Sequence, residues 1–420
     1  MFPIKFVREN IDYLKKTCGL KKISVDWESF EDLEKKRRAL IQGIEKDRQE
    51  HKEINNEFLE KKKKGINDTS LLARAKEISD KIKKSENTLS DIEKKINNVL
   101  ETIPNVPHSS VPEGKSIDDN QIVRHHGDIK EKKFNVLPHY EIGRKLGIME
   151  LEKGAKITGS FFPVFAGEGA RLVRALINFM LDTHSKNGFK ELWVPALVNR
   201  KSMFGTGQLP ILEDDMYKLK DDDYFLIPTA EVPVTNFYRD DVIPENTLPQ
   251  YFCAYTPCFR REAGAYGKET RGLVRVHQFD KVELVKFVKP ENSYDELESL
   301  VHEAEKILQL LSIPYRVVLL STADMSFASS KCYDIEVWAP GIKKWLEVSS
   351  CSNFEAFQAR RADIRYKMKS GKTDFVHTLN GSGIALPRTL IAIYENHQTE
   401  KGTIKVPDVL IPYMQMDEIK

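Results

Sequence analysis

The strongest constraint on the fold of this chain is a long heptad pattern in its first hundred residues. No proline occurs between Trp27 and Ile103, and Gly65 interrupts this stretch near its middle. In the second half, apolar or small residues recur at spacings of four and three: Leu71, Ala75, Ile78, Ile82, Ser85, Leu89, Ile92, Ile96, Val99 and Ile103. Such a repeat is typical of a coiled-coil seam. Residues 1–103 are therefore predicted to form a long antiparallel two-helix arm with its tip near residues 61–70.

A helical hairpin of this length indicates an interaction surface, because two exposed helices bury little apolar area. A helix of about 35 residues is roughly 50 Å long. Six basic residues lie at the tip or just beyond it: Lys61, Lys62, Lys63, Lys64, Arg74 and Lys76. Clustered cations can bind a phosphate backbone by releasing its counterions. A solvated, ion-paired helix face and a dimerisation coil are the alternatives.

Bulk composition limits the class of protein. The chain has 420 residues, enough for two domains, and a formal net charge of only +2, which excludes a uniformly basic nucleic-acid-binding surface. The five cysteines form no CxxC pair, so we expect neither structural zinc nor a disulfide framework. The start of the chain lacks a signal-peptide pattern, and no apolar run has the length of a membrane span. We expect a cytoplasmic protein without membrane association.

Prolines and glycine mark a boundary after the arm. Pro104, Pro107, Pro112 and Gly114 predict a linker over residues 104–140, followed by a second domain at 141–420. In that domain one amphipathic helix and several short strands are predicted, at Gly169–Lys186, Leu192–Pro195, Tyr315–Leu320, Cys332–Trp338 and Trp345–Cys351. Since no βαβ rhythm is present, we predict an α+β fold with an antiparallel β-sheet.

The stretch 259–283 is the most informative about function, because a Gly-rich charged segment separates two extended runs. Tyr251–Phe259 has the composition of a strand, and the alternation along 274–282 predicts an antiparallel partner. This hairpin would project five charged side chains: Arg260, Glu262, Arg271, Arg275 and Glu283. Guanidinium groups suit phosphate and carboxylate oxygens, and carboxylates suit amines, hydroxyls and metal ions. The stretch predicts a site for a nucleotide and a small zwitterion; a salt-bridged surface hairpin is the alternative.

Three further stretches carry related chemistry. Residues 229–231 place a hydroxyl and a carboxylate after a short apolar run. Residues 347–350 end a strand with a carboxylate and two hydroxyls, a set that suits a divalent cation and phosphate. Residues 380–388 lead into a helix with Pro387 in its first turn, where Arg388 would favour a phosphate. Taken singly, each also fits an ordinary strand-end loop, hydroxyl-rich turn or helix start. The common phosphate loops, GxxxxGK[ST] and GxGxxG, do not occur.

In this order, the stretches resemble the motifs of class II aminoacyl-tRNA synthetases, and specifically those of the seryl-tRNA synthetase family. Residues 188–195 are similar to the first class motif, 259–283 to the second and 381–395 to the third. Similarity particular to the seryl family lies in three short segments: 204–210, 229–231 and 276–279. The helical arm resembles the one with which that family binds the long variable arm of serine tRNA.

The resemblance implies an ATP-dependent ligase. ATP and L-serine would give seryl-adenylate and diphosphate, and serine would then pass to the 3′ end of tRNA(Ser), and also of selenocysteine tRNA. It further implies Mg²⁺ and a homodimer. Two alternatives stay open: a synthetase-like paralogue that loads a carrier protein, and a non-catalytic coiled-coil interaction protein.

The resemblance also implies the site residues. Those implied for ATP are Arg260, Arg261, Glu262, Val276, His277, Gln278, Phe279, Glu347, Val348, Ser349, Ser350 and Arg388. Those implied for L-serine are Thr229, Ala230, Glu231, Arg260, Glu283, Asn380 and Ser382. Arg260, Glu262 and Arg388 would be catalytic. Glu347 and Ser350 would hold Mg²⁺ together with the ATP phosphates, and the six basic residues near the tip are the candidates for tRNA.

Overall fold

The structure divides into two compact units. It is a computed structural model that describes residues 1–129, 131–263 and 271–420. The first unit is Met1–Ile103 and the second is Pro104–Lys420.

Helices occur in both units. The α-helices of the described residues are α1 (Ile4–Glu9), α2 (Ile11–Leu20), α3 (Trp27–Lys63), α4 (Thr69–Leu100), α5 (His139–Lys145), α6 (Leu151–Ile157), α7 (Gly167–Lys186), α8 (Arg200–Gly205), α9 (Glu231–Thr235), α10 (Ser293–Leu310), α11 (Phe357–Ala362), α12 (Leu386–Asn396) and α13 (Ile411–Met414). None of these helices is long and apolar enough to cross a bilayer.

Strands occur in the second unit. In the described part of the chain they are β1 (Gln121–His126), β2 (Met149–Glu150), β3 (Val164–Phe165), β4 (Lys190–Glu191), β5 (Leu197–Asn199), β6 (Tyr224–Leu226), β7 (Val242–Pro244), β8 (Gln250–Phe259), β9 (Gln278–Val288), β10 (Tyr315–Leu319), β11 (Lys331–Ala339), β12 (Lys344–Asn353), β13 (Arg365–Lys367), β14 (Thr373–Phe375), β15 (His377–Ala385), β16 (Ile404–Lys405) and β17 (Glu418–Ile419).

The first unit is a helical hairpin built on the predicted seam. Leu71, Ala75 and Ile78 of α4 are buried against Ile54 of α3, as heptad spacing requires. The Asp68 carboxylate accepts hydrogen bonds from the first backbone N–H groups of α4 and so begins that helix. The sequence did not predict the two short helices α1 and α2 that precede the hairpin. The predicted two-helix arm is confirmed.

The second unit is organised around a mixed but mainly antiparallel sheet. Among the described residues, eight strands lie in the order β1-β10-β11-β12-β15-β9-β8-β4, and each adjacent pair is antiparallel except the parallel pair β4–β8. Helices α7, α10 and α12 contribute to the main hydrophobic core on one face of this sheet. A smaller core, to which α9 and α11 contribute, uses Val285 and Phe287 of β9 on the other face. The predicted α+β class is confirmed.

Two details differ from the sequence-based expectations. Leu192–Pro195 is not a strand: the strand lies just before it, at β4, and Leu192 continues the pairing with a single backbone hydrogen bond to Cys253. Strand β9 begins at Gln278, later than the alternation from Val274 suggested, because 271–277 forms turns.

The predicted linker 104–140 contributes directly to the second unit. Its segment β1 forms an edge of the large sheet through antiparallel pairing with β10. The buried side-chain amide of Asn105 donates hydrogen bonds to the carbonyls of Ala328 and Phe354. These bonds explain why a proline-rich stretch is structured: its polar groups find partners in the sheet domain rather than in solvent.

Candidate active site

A cavity of about 350 Å³ lies on the face of the sheet that carries the smaller core. Thirteen of the residues that the sequence singled out line this cavity: Thr229, Glu231, Arg260, Glu262, Val276, Phe279, Glu283, Glu347, Val348, Ser350, Asn380, Ser382 and Arg388. Residues separated by up to 159 positions in the sequence thus share one concave surface. Convergence of polar and charged groups in one pocket is typical of a small-molecule site.

Strand β9 builds the floor of the cavity through its alternation. Phe279, Lys281 and Glu283 line the cavity, whereas Val282 and Leu284 belong to the main core on the opposite face. Since side chains alternate across a strand, burial of the apolar residues fixes the direction of the polar ones. The Glu283 carboxylate is therefore held in place by the packing of its own neighbours.

A β-bulge in β12 brings Glu347 and Ser350 to the same surface. A spacing of three would place them on opposite faces of a regular strand. In the pairing of β12 with β11, Ser349 faces Ile335 and Glu347 faces Glu336, so Val348 is an extra residue. The bulge reverses the alternation at that point, and both side chains line the cavity.

Strand β15 and helix α12 supply the side of the cavity that contains Arg388. The pairing of β15 with β9 shifts register between Ser382 and Ala385, and both of these residues line the cavity together with Asn380. Pro387 lies in the first turn of α12, as predicted. The Arg388 guanidinium donates to the carbonyl and the carboxylate of Glu347, at 2.8 and 3.2 Å. One cation and one carboxylate are thereby held side by side at the cavity edge.

Arg260 and Glu262 lie just beyond the end of β8. The Arg260 guanidinium lies 5.2 Å from the centre of the Phe279 ring, a cation–π contact. Glu262 has a positive φ of 50° and accepts a hydrogen bond from Arg275 at 2.8 Å. A non-glycine residue in this conformation carries strain, which is often retained at functional sites. The following loop residues, 264–270, lie outside the described part of the chain.

Five predicted site residues do not line the cavity. Arg261 is exposed, and Gln278 borders a second, smaller pocket beside Phe279. The backbone groups of His277 pair with Arg260 and Phe161, so this residue closes the stem of the loop. Ala230 is buried in the smaller core, and the Ser349 hydroxyl donates to the Ser382 carbonyl at 2.7 Å. The contacts of His277 and Ser349 support Arg260 and Ser382, which do line the cavity.

A buried polar cluster borders the cavity, and we call it the acid pocket: Thr229, Glu231, Lys281 and Glu283, which line the cavity, and Gln358 behind Glu231. The Lys281 ammonium lies 2.5 Å from the Glu283 carboxylate and donates to the Thr229 hydroxyl at 2.7 Å. The Gln358 amide donates to Glu231 at 2.6 Å. Buried charges require such partners, because an uncompensated one is strongly destabilising.

Two members of the acid pocket were missed by the sequence reasoning. Lys281 could have been found, because it lies two residues before Glu283 and therefore on the same face of a predicted strand. Gln358 carried no local signal: it belongs to the short helix α11 and reaches Glu231 only through the tertiary fold. Its own carbonyl oxygen accepts from Thr378 at 2.7 Å, which orients the amide donor towards Glu231.

The environment of Glu231 changes its acidity. Burial raises the pKa of Glu231 to about 7, and the negative charge of Glu283 adds to the rise. The hydrogen bond from Gln358 and the charges of Lys281 and Arg260 act in the opposite direction. The Glu231 carboxyl therefore titrates near neutral pH.

The residues predicted to hold Mg²⁺ have suitable donor atoms. Glu347 offers a half-exposed carboxylate and Ser350 a hydroxyl, the hard oxygen ligands that Mg²⁺ prefers. Nearby, burial raises the pKa of Asp334 well above its ordinary value and the charge of Glu347 adds to the effect. No group of three or more His, Cys, Asp or Glu side chains within the described ranges could hold a metal alone.

The basic residues at the arm tip differ in their contacts. Lys61 forms ion pairs with Glu57 and Asp68, and Arg74 pairs with Glu50 at 2.6 Å. Lys62, Lys63, Lys64 and Lys76 are exposed. The arm therefore presents a basic surface at its tip, while two of the six predicted cations also support the hairpin.

Comparison with known proteins identifies the class to which this fold and site belong. The family model of the class II core domain of tRNA synthetases (G, H, P, S and T) matches residues 217–397. That range contains the acid pocket, both bulged strands and α12. The chain is a class II aminoacyl-tRNA synthetase.

Matches over the whole length identify the family. The model of the seryl-tRNA synthetase N-terminal domain matches residues 1–107. A serine–tRNA ligase of Thermodesulfovibrio yellowstonii is 50% identical over 424 residues, covering 100% of both chains. One of Caldanaerobacter subterraneus is 51% identical over 422 residues, covering 100% of this chain and 99% of the relative. The chain belongs to the seryl-tRNA synthetase family, and the predicted serine–tRNA ligase is confirmed.

A solved structure agrees with this assignment. The crystal structure of seryl-tRNA synthetase from Pyrococcus horikoshii complexed with ATP superimposes with a TM-score of 0.94 at 36% identity, covering 100% of this chain and 99% of that chain.

The pKa of Glu231 predicts a pH-dependent difference between the native chain and Glu231→Gln. Because the folded-state pKa of about 7 exceeds the ordinary 4.5, the stability associated with this carboxyl is complete below about pH 4.5 and is lost as pH rises through 7. The glutamine variant does not ionise. Relative to the native chain it should gain stability between pH 5 and pH 8, by roughly 3 kcal/mol at the upper end.

Denaturant unfolding at several pH values measures this difference. Glu400→Gln, at an exposed carboxylate, is the matched control and should show no such trend. A constant difference between the Glu231→Gln variant and the native chain from pH 5 to pH 8 would contradict the assigned pKa.

Proposed function

We propose that this chain activates L-serine with ATP and transfers the serine to the 3′ end of serine tRNA through the residues of the described cavity. The observation that carries the proposal is the arrangement of one cavity with two arginines at its edge and a buried acid pocket at its floor. The first feature suits a polyphosphate, and the second suits a small amino acid.

ATP would occupy the region bounded by Arg260, Phe279 and Arg388. Phe279 offers an aromatic face for the adenine ring, and Glu262 offers an acceptor for its amino group. Arg260 would bind the α-phosphate, and Arg388, held against Glu347, would bind the terminal phosphate. The other residues implied for ATP would support these side chains: Arg261, Val276, His277, Gln278, Val348 and Ser349. The Pyrococcus horikoshii relative, whose structure is an ATP complex, supports the assignment.

Serine would occupy the acid pocket. Its ammonium group would lie near Glu231, its carboxylate near Arg260, and its hydroxyl would donate to Glu283, with Asn380 and Ser382 close by. With alanine, the buried Glu283 carboxylate would keep its contact with Lys281 but would lack the hydroxyl donor. Loss of such a hydrogen bond can discriminate by about 10⁴-fold or more. Exclusion of threonine would rest on the size of the pocket.

The chemical step requires positioning rather than a protein nucleophile. The serine carboxylate attacks the α-phosphorus and diphosphate leaves, so negative charge grows on phosphate oxygens. Arg260 and Arg388 are placed to neutralise this charge and to align the reactants. Glu347 and Ser350 would hold Mg²⁺, which supplies additional charge neutralisation at the phosphates when bound.

We further propose that the helical arm of the protein binds the long variable arm of serine tRNA. The protein would act in the cytoplasm, where the five free thiols of the chain stay reduced. The exposed tip lysines Lys62, Lys63 and Lys64 support this role. Selenocysteine tRNA would also be accepted, because recognition through a variable arm does not depend on the anticodon.

Exchange of diphosphate into ATP tests the activation step. The native chain should catalyse exchange that depends on serine and not on alanine. Arg388→Ala should lower kcat/KM for ATP by about 10²-fold or more, since a charged contact made to the reacting phosphates is lost. Exchange that follows another amino acid would contradict the serine assignment. Transfer to a carrier protein in place of tRNA would favour the synthetase-like alternative.

Removal of the arm tests its role separately. Arg37 of α3 bonds to Glu93 of α4 at 2.9 Å, so the two helices lie side by side where a deletion of about Lys35 to Asn97 could be closed by a short linker. We expect this variant to retain serine-dependent exchange and to lose charging of serine tRNA. Equal loss of both activities would show that the arm is required for folding instead.

A homodimer is proposed through the surface that begins at β4. Trp193 is 86% exposed and Leu197 is 45% exposed, and β4 lies at the edge of the sheet. Large apolar side chains exposed together mark an interface. Trp193→Glu should shift the native dimer to a monomer in sedimentation equilibrium, whereas Tyr13→Glu, at another exposed aromatic residue, should not. An unchanged mass for Trp193→Glu would contradict this interface.

A further inference from the structure

A buried histidine outside the cavity connects two parts of the site. His139 begins α5 and is completely buried, as is Glu395 in the last turn of α12. The His139 ring lies between Glu395 and the segment 272–276, which follows the loop of the β8–β9 hairpin. Nothing in the proposed reaction uses this histidine directly.

The hydrogen bonds determine which ring nitrogen carries the proton. The backbone N–H of Leu273 donates to His139 Nε2 at 3.0 Å, and a backbone N–H can only donate. Nε2 is therefore unprotonated, and Nδ1 carries the proton that is donated to Glu395 at 3.0 Å. The second oxygen of Glu395 accepts from the backbone N–H groups of Gly341 and Ile342. The carboxylate is fixed on both sides, and so is the ring.

The backbone of the segment approaches the ring closely. Gly272 has a positive φ of 79°, and a Cβ atom at this position would lie 2.1 Å from His139 Nε2. A residue with a side chain could not occupy this position without displacing the ring or the segment. The glycine and the histidine are thus complementary.

The same segment forms a wall of the cavity. Leu273, Val274 and Val276 line it, and the Val274 carbonyl accepts from Arg388 Nε at 3.2 Å. Helix α12 therefore holds the segment at two places: directly through Arg388 in its first turn, and through Glu395 and His139 from its last turn. Displacement of Leu273 would change the wall and the carbonyl that orients Arg388.

We propose that His139 is a positioning residue for ATP: as a neutral acceptor held by Glu395, it fixes the segment 272–276 against the nucleotide part of the cavity. The inference rests on the proposed assignment of this cavity to ATP. His139 acts through Leu273 and Arg388 and touches no substrate itself.

Two substitutions separate the acceptor role of His139 from its structural role. In His139→Asn, the amide nitrogen replaces Nδ1 and can still donate to Glu395, but Leu273 loses its acceptor. In His139→Gln, the amide oxygen reaches the position of Nε2 and can accept from Leu273, while the donor to Glu395 is displaced. Steady-state exchange kinetics and the melting temperature are measured for both full-length variants.

We expect His139→Asn to raise KM for ATP by about tenfold, with kcat and KM for serine within about twofold of native values. His139→Gln should keep KM for ATP within about threefold of native and show the larger fall in melting temperature. The matched control, His302→Asn at an exposed position of α10, should change none of these quantities.

Equal effects of the two variants on KM for ATP, or a lowered melting temperature of His139→Asn with unchanged KM, would overturn the inference. Equilibrium binding of ATP to Arg388→Ala distinguishes this failure from a wrong site. If Arg388→Ala binds ATP as tightly as the native chain, the assignment of the cavity fails and the inference falls with it. If Arg388→Ala binds ATP more weakly but His139→Asn has an unchanged KM for ATP, the inference about His139 is overturned while the assignment of the cavity to ATP stands.

Discussion

The site depends on the burial of two carboxylates, Glu231 and Glu283, close enough for the charge of one to affect the other. Neither could stay ionised in this position without compensation. Lys281 contacts Glu283 and Thr229, and Gln358 donates to Glu231. The cluster thus keeps polar acceptors buried, where a missing hydrogen bond carries the greatest penalty. The same burial that makes the pocket costly to fold would, in the proposed serine site, let it distinguish a hydroxyl from a hydrogen atom.

The pairing of the sheet strands determines which side chains face the cavity. Strand β9 pairs with β8 over ten consecutive residues and with β15 on its other side, so its alternation cannot slip. By contrast, strands β12 and β15 each contain an irregularity that interrupts this alternation. The bulge at Val348 and the register shift after Ser382 each change which residues face the cavity. A regular strand supplies Lys281 and Glu283, and bulged strands supply Glu347, Ser350 and Ala385.

The sequence predicted those parts of the molecule that repeat or that belong to short motifs. The heptad seam of Leu71, Ala75 and Ile78 gave the arm, and the motif segments gave most of the residues that line the cavity. It did not predict the contribution of 104–140 to the sheet, because pairing of β1 with β10 joins segments about 190 positions apart. The sequence did not predict the roles of Gln358 and His139 for the same reason: their hydrogen-bond partners come close only after the chain has folded.

Helix α12 is the element in which packing and chemistry meet. Its apolar residues Leu390, Ile391 and Ile393 are buried in the main core, and this fixes the helix against the sheet. A polar side chain lies at each end of the helix: Arg388 in the first turn lines the cavity, and Glu395 in the last turn accepts a hydrogen bond from His139. A helix of eleven residues thereby sets the separation of the backbone positions from which Arg388 and Glu395 extend. Backbone hydrogen bonds within the helix keep the spacing of these two positions constant.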